Sequence, residues 1–321
     1  MTEEQLNSSP FIPGTAIQYA WDSTSLGWLK ECPRKYYYHM VRGLIGRGES
    51  VHLEFGILYH EALEHYDRLR FEGVEHDDAV RLIVGVTLTR TWRNGAPWRA
   101  SKDLPAEDRT SLKCRENLIR TVVWYLDKYK DDPAKTKALP DGRPMVELNF
   151  KFETGFGIDL RNPYVLCGYL DRVVTFQDQD FVMDRKTTTQ TLSSYYYDQY
   201  DPDNQMSFYT VAAQIAFKTP VKGVIVDAAQ IAVGFSRFGR SFASRTNDQI
   251  EEWLKDFSIW VGQAKRFADK AYWPMNDKSC HKYGGCPFVP VCTKSNVIRE
   301  KFIESNYDVR AWNPLIPRGP V

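Results

Sequence analysis

Asp171, Asp184 and Lys186 are the residues whose types and spacing could do chemistry. They fall in the stretch 164–188, where β-branched and aromatic runs at 164–175 and 181–187 flank the polar Gln177-Asp178-Gln179-Asp180. That pattern predicts two antiparallel strands joined by a hairpin turn. Each strand then carries a carboxylate, and the two-residue period of a strand puts Asp184 and Lys186 on one face. That face would hold two acids and an amine. Ordinary solvated charges on a hairpin edge would read the same way.

The cysteines form a second group. Cys114 lies in a helical pattern and Cys167 in the first strand of the hairpin, so both read as core residues. Cys280-x5-Cys286-x5-Cys292 is a tight triplet in a loop containing Tyr283-Gly-Gly-Cys-Pro-Phe, and three thiolates need a fourth ligand. Cys32 is the remaining cysteine, far away in the chain, so a metal centre built from the four would staple the two ends together. Zinc is the simplest occupant, although its structural sites favour shorter knuckles. A [4Fe-4S] cluster also takes four thiolates. Unligated core thiols are the third reading.

The elements that must position these groups come from a chain of 321 residues, 43% hydrophobic, which is long enough for a full core. Its 42 basic and 41 acidic residues leave a net charge of +1, so a polyanion would have to be met by local patches. No apolar run reaches membrane-spanning length and the start, Met1-Thr-Glu-Glu-Gln, is unlike a signal peptide, so the expected compartment is the cytoplasm.

Residues 1–20, with Pro10, Pro13 and Gly14, read as an extended arm. Asp22-Ser23-Thr24-Ser25 offers caps for a helix reaching about Met40, which Pro33 should kink or restart at Cys32, exposing the sulfur. Gly43, Gly46 and Gly48 with Arg42 and Arg47 suggest a flexible basic loop. Helical periodicity runs from Leu53 to Phe71 and sets Gly56, His60 and Glu64 on one face, although a lone helical His is more often a surface or core residue. Helices follow at about 76–94 and 108–131, then a connector at 133–144. Met145–Thr154 alternates as a strand containing Glu147, and Pro202–Phe217 reads as a helix with Gln205 and Tyr209 one turn apart. Two strands, Val221–Gly234 and Phe235–Phe242, precede an amphipathic helix at Asn247–Ala268 and an extended tail at Asn306–Val321. Strands bracketed by helices imply a mixed sheet covered on its faces.

Six pieces now stand in order over residues 25–295: Cys32-Pro-Arg-Lys-Tyr-Tyr-Tyr, Gly56-x3-His60-x2-Leu63-Glu64, Gly168-Tyr-Leu-Asp171, Asp184-Arg-Lys186, Gln205-x3-Tyr209 and the cysteine triplet. Together they resemble the PD-(D/E)xK nuclease superfamily. More narrowly they are similar to the branch holding the nuclease domains of RecB- and AddB-type helicase-nucleases, the CRISPR-associated adaptation exonucleases and phage relatives. Many relatives space the first two C-terminal cysteines more closely than Cys280 and Cys286.

The resemblance implies an α/β fold: a restriction-endonuclease-like mixed β-sheet flanked by helices, with an N-terminal helical layer and a C-terminal Cys-rich loop. One nuclease domain would fill 1–321, with helices in 1–140, the core in 141–270, and the cysteine loop and tail in 271–321. It further implies that His60, Asp171, Asp184 and the backbone carbonyl of Arg185 ligate Mg²⁺ or Mn²⁺. Lys186 would orient or activate the attacking water and stabilise charge on the phosphate, while Gln205 and Tyr209 would sit at the rim. Glu147 would reach a second metal or the water, unless it is a solvated strand-edge residue. Cys32, Cys280, Cys286 and Cys292 would hold the [4Fe-4S] cluster, with zinc as the alternative. Substrate contacts are sought at Arg34, Lys35 and Tyr36, at Arg90, Arg93 and Arg99, and at Tyr195, Tyr196 and Tyr197, because basic and aromatic residues together suit single strands. The implied activity is a DNA exonuclease acting on single strands or ends, in recombination, repair or CRISPR adaptation. The rival is a non-catalytic DNA-binding subunit of a helicase, recombinase or integrase complex. The chain carries no P-loop, so unwinding would fall to such a partner.

Overall fold

The computed structural model describes residues 9–47, 50–104, 109–159, 162–282 and 285–316. Gly48 of the basic loop, Tyr283 and Gly284 of the cysteine loop, and the outer ends of both arms lie outside the described residues.

β1 (Ala20–Trp21) leads directly into α1 (Ser23–Glu31), which Asp22 starts by accepting the Ser25 N–H at 2.9 Å in a capping box. The helix stops well short of Met40. Pro33 has no N–H to continue the ladder, so Cys32 takes an extended backbone and a new turn begins at Pro33–Tyr36, passing into a π-helical turn at Tyr37–Val41. The restart at Cys32 is the expected one, but this cysteine is buried rather than exposed. β2 (Leu44–Gly46) occupies the supposed flexible loop. Next come α2 (Val51–Phe71), α3 (His76–Arg90) and α4 (Arg115–Lys128). The last two are shorter than their patterns predict because a small hairpin at 92–97 and a 3-10 turn at 109–112 intervene.

β3 (Lys135–Thr136) lies inside the stretch read as a connector. β4 (Val146–Asp159), β5 (Asn162–Phe176) and β6 (Gln179–Thr188) follow, and the β5–β6 turn is only Gln177 and Asp178, both at positive φ, as a two-residue hairpin requires. Asp203 then caps α5 (Asn204–Ala216), and β7 (Gly223–Ala232), β8 (Phe235–Ser244), α6 (Asn247–Asp269), α7 (Asn296–Asn306) and β9 (Tyr307–Val309) complete the order. No helix among the described residues is long and apolar enough to cross a membrane.

Contacts divide the chain into two compact units. One comprises Met1–Gly48, Asn149–Gly168 and Asn247–Pro320. Within it the described part of neither arm is free. β1 pairs in parallel with Val165 and Leu166 of β5, and Gln18, Tyr19, Ala20 and Trp21 are buried; β9 pairs antiparallel with β2. Trp312 of the tail donates its indole N–H to Asp22 at 3.1 Å. These apolar residues gain more from burial than an extended, solvated arm would keep.

The other unit comprises Glu49–Leu148 and Tyr169–Thr246. Its sheet is mixed: β5 with β6 and β7 with β8 are antiparallel, whereas β6 with β7 is parallel. β7 is buried almost throughout, as a central strand with a parallel neighbour should be. Phe55, Leu58, Tyr59 and Leu63 of α2, Ile83 of α3, and Leu118, Val122 and Leu126 of α4 share a core with Ala229 and Ile231 of β7. α5 also packs on β6 and β7. The expected mixed sheet flanked by helices is therefore the observed one.

One core residue goes against type. Lys113 is 2% exposed, and its Nζ lies 4.4 Å from the centre of the Phe55 ring with no hydrogen-bond partner among the described residues. Burial pulls its pKa from 10.5 down to about 7. As pH falls from about 10 to 7, the unfolded amine takes up a proton and the folded one does not, so stability is lost across that window. Lys113→Met is expected to stabilise the protein by roughly 1–3 kcal/mol at pH 7 and by less at pH 10. Thermal melts of both proteins at the two pH values check this, and equal gains would contradict a neutral buried amine.

Candidate metal centre

The site lies within the second unit. α2 presents His60, and Gly56, one turn earlier on the same helix, faces Thr187 of β6. β5 presents Asp171. The antiparallel register, with Arg172 opposite Met183, sets Asp171 beside Asp184 and Arg185 of β6. Asp171 Oδ2 lies 3.3 Å from His60 Nδ1 and accepts the Arg185 backbone N–H at 2.9 Å. Glu147 joins them from β4, held at φ +49°, a conformation that side chains rarely adopt in a strand. One ligand atom each from His60, Glu147 and Asp171 lies within 4.8 Å of the others. Asp184 stands outside that mutually close group. Glu147, a lesser candidate in the sequence, is the third member of that close group.

Asp184 and Lys186 share one face of β6, as the strand period predicts, and their ion pair measures 2.7 Å. Lys186 Nζ donates to Gln205 Oε1 at 2.7 Å, and Gln205 Nε2 donates to Tyr209 Oη at 3.0 Å, one turn along α5. The electrostatics follow from these contacts. Burial would raise Asp171, yet His60, the Arg185 N–H and Lys186 hold it well below the usual carboxylate range. Burial pushes Asp184 up to about 6, against the pull of Lys186. For His60, burial is outweighed by the Asp171 charge, and its pKa rises; for Lys186, burial is outweighed by Asp184, and the ammonium is held above its usual range.

The donor set suits a hard or borderline divalent cation: carboxylate oxygens of Glu147 and Asp171 and one imidazole nitrogen, with the buried Asp184 carboxylate on the neighbouring strand.

Sequence reasoning misses what lies beneath. Asp67 follows His60 by two helical turns on α2, and its Oδ2 lies 2.5 Å from Arg185 Nη2. Asp67 also pairs with Arg172 at 3.4 Å, Arg172 with Asp132 at 3.7 Å, and Asp132 with Arg240 at 2.7 Å. Buried charges are tolerated only when paired, so Arg185 serves twice: its side chain ties β6 to α2, and its backbone N–H holds Asp171. The one signal in the sequence is an acid at two-turn spacing from His60 on the same helix.

Most of the proposed substrate contacts are already engaged. Tyr36 is buried and stacks on Trp21, Arg34 Nε donates to Trp273 O, and Lys35 pairs with Glu31. Arg90 pairs with Glu61, Arg93 with Glu54, and Arg99 donates to Lys113 O. Of the three consecutive tyrosines, Tyr196 is buried and Tyr195 exposed.

In the first unit, the four singled-out cysteines are neighbours. Cys32 Sγ accepts the Asn276 N–H at 3.3 Å, Cys280 Sγ lies 3.9 Å from Asn276 O, and the Cys286 N–H donates to Cys280 O at 2.8 Å. Cys286 and Cys292 pack in the cluster around Phe288, and burial raises both thiols, with Cys32 adding to each shift. Their sulfurs are not drawn together as tightly as the ligand atoms of His60, Glu147 and Asp171. All four are free thiols, as are Cys114 and Cys167.

A sequence profile described as the PD-(D/E)XK nuclease superfamily matches residues 23–293. No curated protein matches the chain. Among solved structures, one titled "Crystal structure of SSO0001" is 12% identical, with 75% of this chain and 76% of that chain covered and a TM-score of 0.29.

Proposed function

Since the chain belongs to the PD-(D/E)XK nuclease superfamily, we propose that it is a metal-dependent DNA exonuclease acting on single strands or ends. The observation that carries this reading is the buried Asp171, gripped by His60 and the Arg185 N–H beside Glu147, with the Lys186 ammonium on the neighbouring strand. His60, Glu147 and Asp171 would hold Mg²⁺ or Mn²⁺, with Asp184 and the Arg185 carbonyl as further oxygen donors; the imidazole favours Mn²⁺. Such an ion, when bound, lowers the pKa of a water and neutralises charge on the phosphate.

The chain's own residues supply the rest. Lys186, paired with Asp184 and donating to Gln205, brings a fixed positive charge to the phosphate oxygens. Tyr209 holds the amide of Gln205, which in turn fixes the direction of the ammonium. Asp171 stays ionised because its neighbours are donors. Cys32, Cys280, Cys286 and Cys292 would carry a structural [4Fe-4S] cluster, with zinc as the alternative. The expected setting is recombination, repair or CRISPR adaptation, alongside a helicase, recombinase or integrase.

Linear and circular single-stranded DNA of one sequence, incubated with the protein and Mn²⁺, test the reading. The linear strand should be degraded from its ends and the circle spared. Equal cutting of the circle would make the protein an endonuclease, and survival of both would favour a non-catalytic DNA-binding subunit.

A further inference from the structure

The short helix Ser194–Asp198 follows β6, the strand that carries Asp184 and Lys186. Ser193 caps it by accepting the Tyr196 N–H at 3.3 Å. Its three tyrosines are used in three ways. Tyr196 is 5% exposed, its hydroxyl 3.1 Å from that of Tyr200. Tyr197 points its hydroxyl at β8, where a Cβ on residue 239 would come within 2.8 Å of Oη, so Gly239 is what makes room for it. Gly239 lies opposite Ala228 of β7 and Ala228 opposite Lys186 of β6, so Tyr197 anchors the helix on the sheet at the level of Lys186.

Tyr195, one residue from Tyr196, is left 86% exposed, the most exposed aromatic side chain among the described residues. Adjacent Cα atoms are about 3.8 Å apart, so the Tyr195 backbone shares that level of the sheet, and its ring is open to solvent. The cations that could compete for the same substrate already hold acids: Arg90 has Glu61 and Arg93 has Glu54. A flat ring in solvent beside a phosphodiester site suits one partner. Every nucleobase offers a π-face of matching size, and an unpaired base can leave its own stack to use it, whereas a base inside a duplex is covered on both sides.

We propose that Tyr195 is the stacking platform for an unpaired base of the DNA strand beside the scissile phosphate, and so biases the site toward single strands. This deepens the nuclease reading and rests on it. The test is binding of a fluorescent single-stranded oligonucleotide by fluorescence anisotropy in Ca²⁺, compared with a strand of equal length made abasic near its end. Wild-type protein should bind the intact strand about tenfold more tightly or better. Tyr195→Ala should lose that preference, and Tyr195→Phe and Tyr195→Trp should keep it, because the ring rather than the hydroxyl is used. No preference in the wild type, a preference undiminished in Tyr195→Ala, or no binding of either strand would each overturn the proposal. None of these readouts requires cleavage. A wild-type protein that shows the ring-dependent preference but cleaves no DNA in Mn²⁺ would instead overturn the nuclease reading and leave Tyr195 as a base-binding residue.

Discussion

Lys186→Ala is expected to slow DNA cleavage by at least about a thousandfold while leaving the protein folded. The phosphate gains negative charge on the way to the transition state, and a fixed ammonium in a partly buried site meets that charge without first having to reorganise water. Lys186 is fixed from two sides, by Asp184 at 2.7 Å and by Gln205 at 2.7 Å. Truncation leaves the Asp184 carboxylate buried beside an empty space, where it can take a proton instead of unfolding the sheet. Lys186→Gln keeps a hydrogen-bonding group there and should be equally inactive, because the charge and not the contact is what matters. Single-turnover cleavage with a melting curve for each variant separates rate from stability. Near-wild-type rates in a folded variant would remove Lys186 from the mechanism.

Cys32→Ala is expected to discharge the proposed cluster of the first unit and lower the melting temperature by roughly ten degrees. Its partners, Cys280, Cys286 and Cys292, lie toward the far end of the chain, and they meet Cys32 only once the unit has folded. Binding free energy at such a site is therefore largely folding free energy. Protein purified without oxygen should be brown, with broad visible absorption that dithionite bleaches. Cys114→Ala and Cys167→Ala should keep the colour, since neither is one of the four proposed ligands. A colourless protein with about one zinc per chain would replace the cluster and keep the staple, whereas a metal-free protein of unchanged stability would overturn both.

Period-two alternation around Asp171, Asp184 and Lys186 made the β5–β6 hairpin legible, and the periodicity of α2 placed His60 on a helix, because both signals are local. Which ligand atoms converge was less legible. Glu147 enters the group through a backbone twist at one residue, and Asp184 stays with Lys186 instead, differences set by tertiary register rather than by pattern. The Asp67–Arg185 pair was invisible for the same reason: a charged residue reads as solvated until its buried partner is known. Prolines and a lack of periodicity made both ends of the chain look like free arms, yet two- and three-residue strands pin them. Such short pairings leave no repeat long enough to detect.

The central claim is tested most directly by incubating the purified protein with end-labelled single-stranded DNA in Mn²⁺, in Mg²⁺ and in EDTA, with Asp171→Ala in parallel. Cleavage is expected in Mn²⁺, and in Mg²⁺ at an equal or lower rate, with none in EDTA and none by Asp171→Ala under any condition. Cleavage that persists in EDTA, or that a folded Asp171→Ala variant retains, would contradict that claim.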